Sequence, residues 1–284
     1  MLVLIPATLP VAPPPPAIVR QYEELEDTEL LLIAQADDEP LDDTAVDDFE
    51  YEMPTVEELI DDLSDEDPSI RALAAWELGE LGDPAALEPL IKALRTDEDV
   101  SVREEAAWAL GNFEAPESLD PLAQALADES ASVRSAAVCS MVSLSDPFIP
   151  ALLIPLSKDP DPRVRSDVAW ALGQTDDPVV IETLLLMLAD SDAYTRGDAA
   201  FSLGTLEEPR TIPSLKITLN DQDDWVKQQA AVALALMKEP SGFDWLDEAA
   251  KDDDYELRWR VGRGLGRLKD PRGVPIAIGL LADE

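Results

Sequence analysis

The chain has 284 residues, 46% of them apolar, and its 61 acidic and 21 basic residues give a formal net charge of -40. So acidic a chain repels phosphate backbones, which excludes nucleic acid as the expected partner. It has no histidine and one cysteine, Cys139, so an internal disulfide is impossible and the usual zinc, haem and iron–sulfur ligand sets are missing. We therefore expect a protein of a reducing, cytoplasmic compartment with no metal and no cofactor, and assign no residue as catalytic.

The first 53 residues differ in composition from the rest. Residues 1–19 are apolar but lack a basic start, and prolines such as Pro13 to Pro16 interrupt them, so we predict neither a signal peptide nor a membrane span. In residues 37–52, nine of sixteen residues are acidic and none is basic, which is typical of disorder. We predict a Pro-rich and acidic N-terminal extension over residues 1–53, largely disordered, and a folded domain over residues 54–284.

From Pro54 onward the sequence repeats. Residues 54–63 have helix-start signals and one apolar side, which predicts a half-repeat cap. A basic residue then recurs every 31 or 32 residues, at Arg71, Arg103, Arg134, Arg165, Arg196, Lys227 and Arg258. Prolines keep the same spacing, and we call them the marker prolines: Pro84, Pro116, Pro147, Pro178, Pro209, Pro240 and Pro271. The spacing predicts two helices per unit, the second starting at each marker proline.

The units IRALAAWELGELGDPAALEPLIKAL and VREEAAWALGNFEAPESLDPLAQAL resemble the phycobilisome-lyase type of HEAT repeat, and the resemblance covers residues 54–284. It implies an all-α fold, a right-handed α-solenoid of about seven HEAT-like helix pairs after the cap, with the second helices lining a concave surface. Two further branches of HEAT proteins do not fit. The di-iron deoxyhypusine hydroxylases need His–Glu pairs, and the DNA glycosylases need a basic concave surface.

The same resemblance implies two functions. The first is a non-enzymatic scaffold or adaptor that binds a protein partner, such as a phycobiliprotein or another component of phycobilisome or photosynthetic assembly. The alternative is a bilin lyase, or a bilin-handling chaperone subunit, acting on phycobiliproteins.

A candidate surface follows from positions one, four and eight after each marker proline, which share one side of the second helix. Outer repeats are polar at these positions. Repeats three to five instead carry Phe148, Ala151, Pro155, Val179, Glu182, Leu186, Arg210, Pro213 and Ile217. An exposed apolar row in so acidic a protein favours partner binding. Ordinary packing between repeats, or coverage by Leu2 to Ile5 of the same chain, is the alternative.

A second candidate surface lies in the last repeat, where basic residues gather: Arg258, Arg260, Arg263, Arg267 and Arg272. This basic patch is expected to bind an acidic partner, or residues 37–52 of its own or another copy, which would produce self-association. A solvated end of the array is the alternative. We predict that the regularly spaced basic residues bond the acidic residues of adjacent turns as a structural ladder.

Overall fold

The computed structural model describes residues 54–281 apart from Asp176 and Lys269, and in this part of the chain it has fifteen α-helices and no β-strand. A short helix, α1 (Val56–Asp62), precedes seven helix pairs. The first helices of the pairs are α2 (Pro68–Leu81), α4 (Val100–Asn112), α6 (Ala131–Ser143), α8 (Pro162–Gly173), α10 (Ala193–Thr205), α12 (Asp224–Leu236) and α14 (Tyr255–Arg267). The second helices are α3 (Leu87–Thr96), α5 (Leu119–Ala125), α7 (Ile149–Leu153), α9 (Val180–Met187), α11 (Ile212–Thr218), α13 (Pro240–Ala249) and α15 (Gly273–Leu281).

The predicted solenoid of about seven helix pairs with a half-repeat cap is therefore confirmed. The predicted N-terminal extension, residues 1–53, lies outside the described residues.

Side-chain caps explain why the first helices begin where they do. The residue before each of them accepts a hydrogen bond from a backbone N–H of the first turn, and these residues are Asp67, Asp99, Ser130, Asp161, Asp192, Asp223 and Asp254. The cap helix α1 begins with a capping box, in which Thr55 and Glu58 each accept from the other's backbone N–H. Such caps satisfy N–H groups that a helix leaves unpaired.

The first helices pack side by side through small residues. Alanines three positions after the basic residue are buried in five repeats, and the leucine or methionine seven positions after it fills the core in all seven. Gly79 of α2 lies so close to α4 that an added Cβ would stand 2.7 Å from the Cα of Ala109. Glycine therefore sets the distance between neighbouring first helices at this position.

Five arginines form the predicted ladder between turns. Each donates two hydrogen bonds to one aspartate 25 or 26 residues later and two to carbonyls of the turn before its own helix. The pairs are Arg71–Asp97, Arg103–Asp128, Arg134–Asp159, Arg165–Asp190 and Arg196–Asp221, with closest distances of 2.7 to 2.9 Å. Each aspartate also accepts from the backbone N–H two residues later. The ladder thus links every inter-repeat turn from the first to the sixth repeat.

The ladder changes the ionisation of its aspartates. Burial opposes their ionisation, but the hydrogen bonds from the guanidinium groups and the backbone outweigh it and lower the pKa of each carboxyl. The sixth repeat departs from the pattern, because Lys227 instead forms an ion pair of 2.6 Å with Asp224 on its own helix. A lysine has no planar fork with which to reproduce the two-bond contact.

The second helices are shorter and less regular than the first. Three of them begin as a 3-10 turn at the marker proline, at Pro84, Pro116 and Pro209. In the third repeat α7 has only five residues and continues as a 3-10 helix from Ile154 to Lys158. Pro155 explains this change, because it lacks the N–H that an α-helix would use there and its ring clashes with the preceding turn.

Candidate functional site

The nine residues predicted to bind a partner belong to the second helices of repeats three to five or to the turns and 3-10 segments that adjoin them, and we call these nine the central strip. All nine are exposed. They form three rows across repeats three to five. The near row is Phe148, Val179 and Arg210; the middle row is Ala151, Glu182 and Pro213; and the far row is Pro155, Leu186 and Ile217.

The apolar members of the central strip take no part in the core. Leu186 is 75% exposed and Ile217 is 74% exposed, whereas Leu184 and Leu215, two residues before each, are completely buried. Phe148, in the near row, is 70% exposed. Ordinary packing between repeats is therefore the wrong explanation for these side chains. Coverage by Leu2 to Ile5 concerns residues outside the described part of the chain.

The two charged residues of the central strip pair with each other. Arg210 Nη1 lies 2.7 Å from Glu182 Oε1 in the preceding repeat, and both side chains are at least half exposed. Arg210 Nε also lies 4.0 Å from Glu208. The pair joins the near and middle rows of adjacent repeats, so the strip has little net charge of its own.

The repeats on either side of the central strip are acidic at the equivalent positions. Glu117 and Asp120 are exposed on the second repeat, and Asp244 and Glu248 are exposed on the sixth. We call these four residues the acidic ends. The central strip is therefore an apolar surface with negative charge beyond each end. A partner with complementary charges at these places would bind it better than a partner without them.

Two arginines of the predicted basic patch bond to the turns on either side of α14. Arg258 donates to the carbonyls of Asp252 and Asp253 at the start of α14, as the ladder arginines do. Arg272 lies beyond the other end of that helix, where it pairs with Asp270 at 2.8 Å. Arg258 is the fourth residue of α14, and Arg267 ends the helix nine residues later, so this stretch rises about 14 Å. Arg258 thus bonds to the turn before α14 and Arg272 to the turn after it, and their grouping as one binding surface stays a prediction.

The remaining arginines of the patch are held against other side chains. Arg263 lies over the ring of Trp259 and Arg267 over that of Phe201, each with its guanidinium carbon 4.9 Å from the ring centre. Arg260 is half-buried, and its backbone carbonyl accepts a hydrogen bond from Gln228. Only Arg263 and Arg267 of these three are exposed, so the surface available to an acidic partner is smaller than predicted.

Sequence reasoning missed a polar row on the first helices. Ser135 donates to Asp167 and Ser166 donates to Asp198, in each case from one repeat to the next. Burial raises the pKa of Asp167, and burial raises that of Asp198 to about 6 against the opposing bond from Ser166. Glu105 occupies the same position in the second repeat, but its buried Oε2 has no hydrogen-bond partner. The signal was available, since all three acids follow a basic residue by two positions.

Burial also raises the pKa of the Cys139 thiol, and the nearby Asp167 adds to that effect. A thiol of raised pKa is a poor nucleophile at neutral pH. Within residues 54–281, no three carboxylate or thiol side chains converge as a metal ion would require. In the same range no helix is both long and apolar enough to cross a bilayer.

The repeat pattern matches a known family. The sequence profile of HEAT repeats matches residues 56–142, 126–204, 149–235 and 212–284, which together span the folded part of the chain. The chain belongs to the HEAT-repeat family. No protein of curated function matches this HEAT-repeat chain in sequence.

Solved structures with similar folds include natural and engineered proteins. The complex of CpcE and CpcF of phycocyanin lyase from Nostoc sp. PCC7120 matches with 22% identity and a TM-score of 0.54, covering 84% of this chain and 99% of that chain. Escherichia coli YibA matches with 22% identity and a TM-score of 0.55, covering 92% and 100%. An engineered protein matches with 23% identity and a TM-score of 0.50, covering 67% and 98%. At these identities the similarity establishes the fold alone.

Proposed function

We propose that this HEAT-repeat chain is a non-enzymatic scaffold or adaptor that binds a protein partner through the central strip. The observation that carries the proposal is the exposure of large apolar side chains within the central strip in three consecutive repeats: Phe148, Val179, Leu186 and Ile217. Complete burial of one Leu or Ile side chain stabilises a complex by about 1.5–3 kcal/mol. Leu186 and Ile217 together therefore offer a partner a substantial contact surface that the folded chain leaves in water.

The photosynthetic context of the proposal comes from two sources of different weight. The repeat sequence resembles the phycobilisome-lyase type of HEAT repeat, and the CpcE and CpcF complex of phycocyanin lyase shares the fold. We propose on this basis that the partner is a phycobiliprotein or another component of phycobilisome or photosynthetic assembly, and that the protein acts in the cytoplasm.

Replacement of Leu186 and Ile217 by Glu tests the scaffold function. We expect the double variant to keep its helical circular dichroism, because both side chains are exposed, and to lose the proteins that the unchanged chain captures from native lysate. A matched control replaces Ile70 and Leu73 of α2 by Glu. These two are also exposed apolar residues, 41% and 54%, but they lie on a first helix. Equal capture by all three proteins would contradict the proposal.

A second candidate is a bilin lyase or bilin-handling chaperone subunit, in which the central strip would hold a tetrapyrrole or the phycobiliprotein that receives it. The apolar side chains of the strip support this reading as well, because small-molecule sites are lined predominantly by apolar residues. Mixing the purified chain with phycocyanobilin and an unmodified phycobiliprotein distinguishes the two functions. A shift of the bilin absorbance with covalent attachment supports the lyase, and a protein complex without either supports the scaffold.

A further inference from the structure

The rows of the central strip are spaced for a partner helix. The near row and the far row are seven residues apart in each of the three repeats, and seven residues of α-helix rise about 10 Å. That distance is close to the width of an α-helix with its side chains, about 10–12 Å. The middle row has the small Ala151 and Pro213 in its outer two repeats and the ion-paired Glu182 in the repeat between them. Large apolar side chains in both outer rows suit a partner helix that crosses the repeats: Phe148, Val179, Leu186 and Ile217.

The charges around the central strip are arranged along the same direction, from repeat to repeat. The Glu182–Arg210 pair neutralises itself inside the central strip, at 2.7 Å. The acidic ends lie one repeat beyond the strip on each side and are exposed. A partner that crosses from the second to the sixth repeat therefore meets negative charge, then apolar surface, then negative charge again.

We propose that the central strip binds an amphipathic helix whose central turns carry apolar residues and whose two ends carry Lys or Arg. This inference rests on the proposed function and adds to it the chemistry of the partner. Helices pack about 8–10 Å apart, so the strip spans roughly 20 Å and the acidic ends stand roughly 40 Å apart. At 1.5 Å per residue these lengths correspond to about 13 apolar-faced residues within a helix of about 26.

For binding to the central strip, the order of charged and apolar residues along the partner helix matters more than the net charge of that helix. A chain with a net charge of -40 attracts any basic peptide at low salt, and that attraction is not specific. A helix with acidic ends would place like charges against the acidic ends and would bind weakly. A helix with a basic centre would bury its charges against Leu186 and Ile217 without partners, which costs free energy.

Three labelled synthetic peptides of about 26 residues test the proposal by fluorescence anisotropy. The first has Lys and Arg at both ends and Leu and Ile at helical spacing in the centre. The second has the same residues with the basic ones in the centre and the apolar ones at the ends, so the two peptides have the same net charge. The third replaces the basic ends of the first by Glu. We expect the first peptide to bind with a Kd at least about tenfold below that of the other two.

Charge reversal of the protein tests the same contact from the other side. One variant carries Lys at all four of the acidic ends, Glu117, Asp120, Asp244 and Glu248. Its control carries Lys at four exposed acidic residues of turns and first helices, Glu66, Glu98, Asp253 and Glu256, which gives the same net charge. We expect reversal of the acidic ends to weaken the first peptide by about tenfold or more and to improve the third, whereas the control changes both by about threefold or less.

The outcomes separate this inference from the proposed function. Equal binding of the first and second peptides, or equal effects of the two charge-reversed variants, would overturn the helix with basic ends. If the double variant Leu186→Glu and Ile217→Glu still lost capture of the natural partner, the scaffold function would be supported without the helix that has basic ends. If no peptide bound and capture did not depend on the central strip, the scaffold function and the partner helix would both be contradicted.

Discussion

Individual residues show how closely the first helices approach one another. Replacement of Gly79 by Ala would put a methyl group 2.7 Å from both the Cα and the Cβ of Ala109. Alanine favours a helix by about 1 kcal/mol over glycine, but overpacking against backbone costs about 1–3 kcal/mol. We therefore expect Gly79→Ala to lower the free energy of unfolding, measured by urea denaturation.

Gly266 supplies the matched control, because it stands at the same repeat position in α14 and an added Cβ would meet nothing within 4 Å. We expect Gly266→Ala to raise stability by up to about 1 kcal/mol. A stabilising effect of both substitutions would show that the helices separate freely at Gly79.

Glu105 is expected to make stability depend on pH. Burial, with a smaller contribution from Glu104, raises its pKa to about 7 from a usual value near 4.5. Because the unfolded chain ionises first, the free energy of unfolding falls as pH rises between these two values and stays lowered above them. Glu105→Gln removes the ionisation, so we expect its gain in Tm to be larger at pH 8 than at pH 4.5.

The comparison for Glu105→Gln is Glu98→Gln, at an exposed glutamate of a turn. The difference between the two variants isolates the effect of burial from that of net charge. A Tm gain for Glu105→Gln that is the same at both pH values would mean that the carboxyl is not destabilised by burial.

At the scale of helices and turns, the connection between the two helices of a repeat contains a residue in the left-handed backbone conformation. The residue eleven positions after the basic one has a positive φ in each of the five repeats in which the structure describes it: Gly82, Glu114, Ser145, Glu207 and Lys238, with φ from 49° to 63°. Only the first repeat uses glycine there. The other four keep the turn although a side chain disfavours this conformation.

Glu207→Gly is expected to stabilise the fold by about 0.5–1 kcal/mol. The relief of left-handed strain, about 1–2 kcal/mol, exceeds the added entropy of the unfolded chain. The neighbouring Glu208 has an ordinary φ of -81°, so Glu208→Gly should be destabilising instead. Thermal unfolding of both variants measures the difference, and the same sign for both would contradict a strained turn.

On the scale of the whole molecule, the Arg–Asp ladder holds consecutive repeats in one array. It has no counterpart at Lys227, although Asp252 stands 25 residues later and accepts the backbone N–H of Asp254 as the ladder aspartates do. We expect Lys227→Arg to form the missing two-bond pair and to raise stability by about 0.5–1 kcal/mol. A chemical denaturation experiment at low salt measures the change.

A double-mutant cycle with Asp252→Asn identifies the source of that gain. If the new arginine pairs with Asp252, the stabilisation disappears when the carboxylate is replaced. A gain of equal size in the Asp252→Asn background would assign it to another contact and would contradict the ladder explanation.

The sequence predicted the fold well because its signals are local and repeated. The N-cap Asp161 and the marker proline Pro178 each act within one turn of helix. Because such residues recur about every 31 residues, they indicate a repeat architecture. The residues of the central strip could also be grouped from the sequence, because positions on one side of a helix follow from helical geometry. The contacts of the basic patch did not follow from local patterns, because Arg267 lies over the ring of Phe201, which belongs to the fifth repeat.

The sequence by itself thus determined the number of helix pairs. It did not fix the start of every second helix, because only α13 begins as an α-helix at its marker proline, three others begin there as a 3-10 turn and the remaining three start two residues later. The tertiary structure decided what covers each side chain. Leu184 and Leu186 are equally apolar, yet one is completely buried and the other is 75% exposed. Lys227 and Arg196 occupy equivalent positions, yet only Arg196 reaches the next turn. Burial and pairing depend on atoms brought from other repeats, which local sequence patterns do not specify.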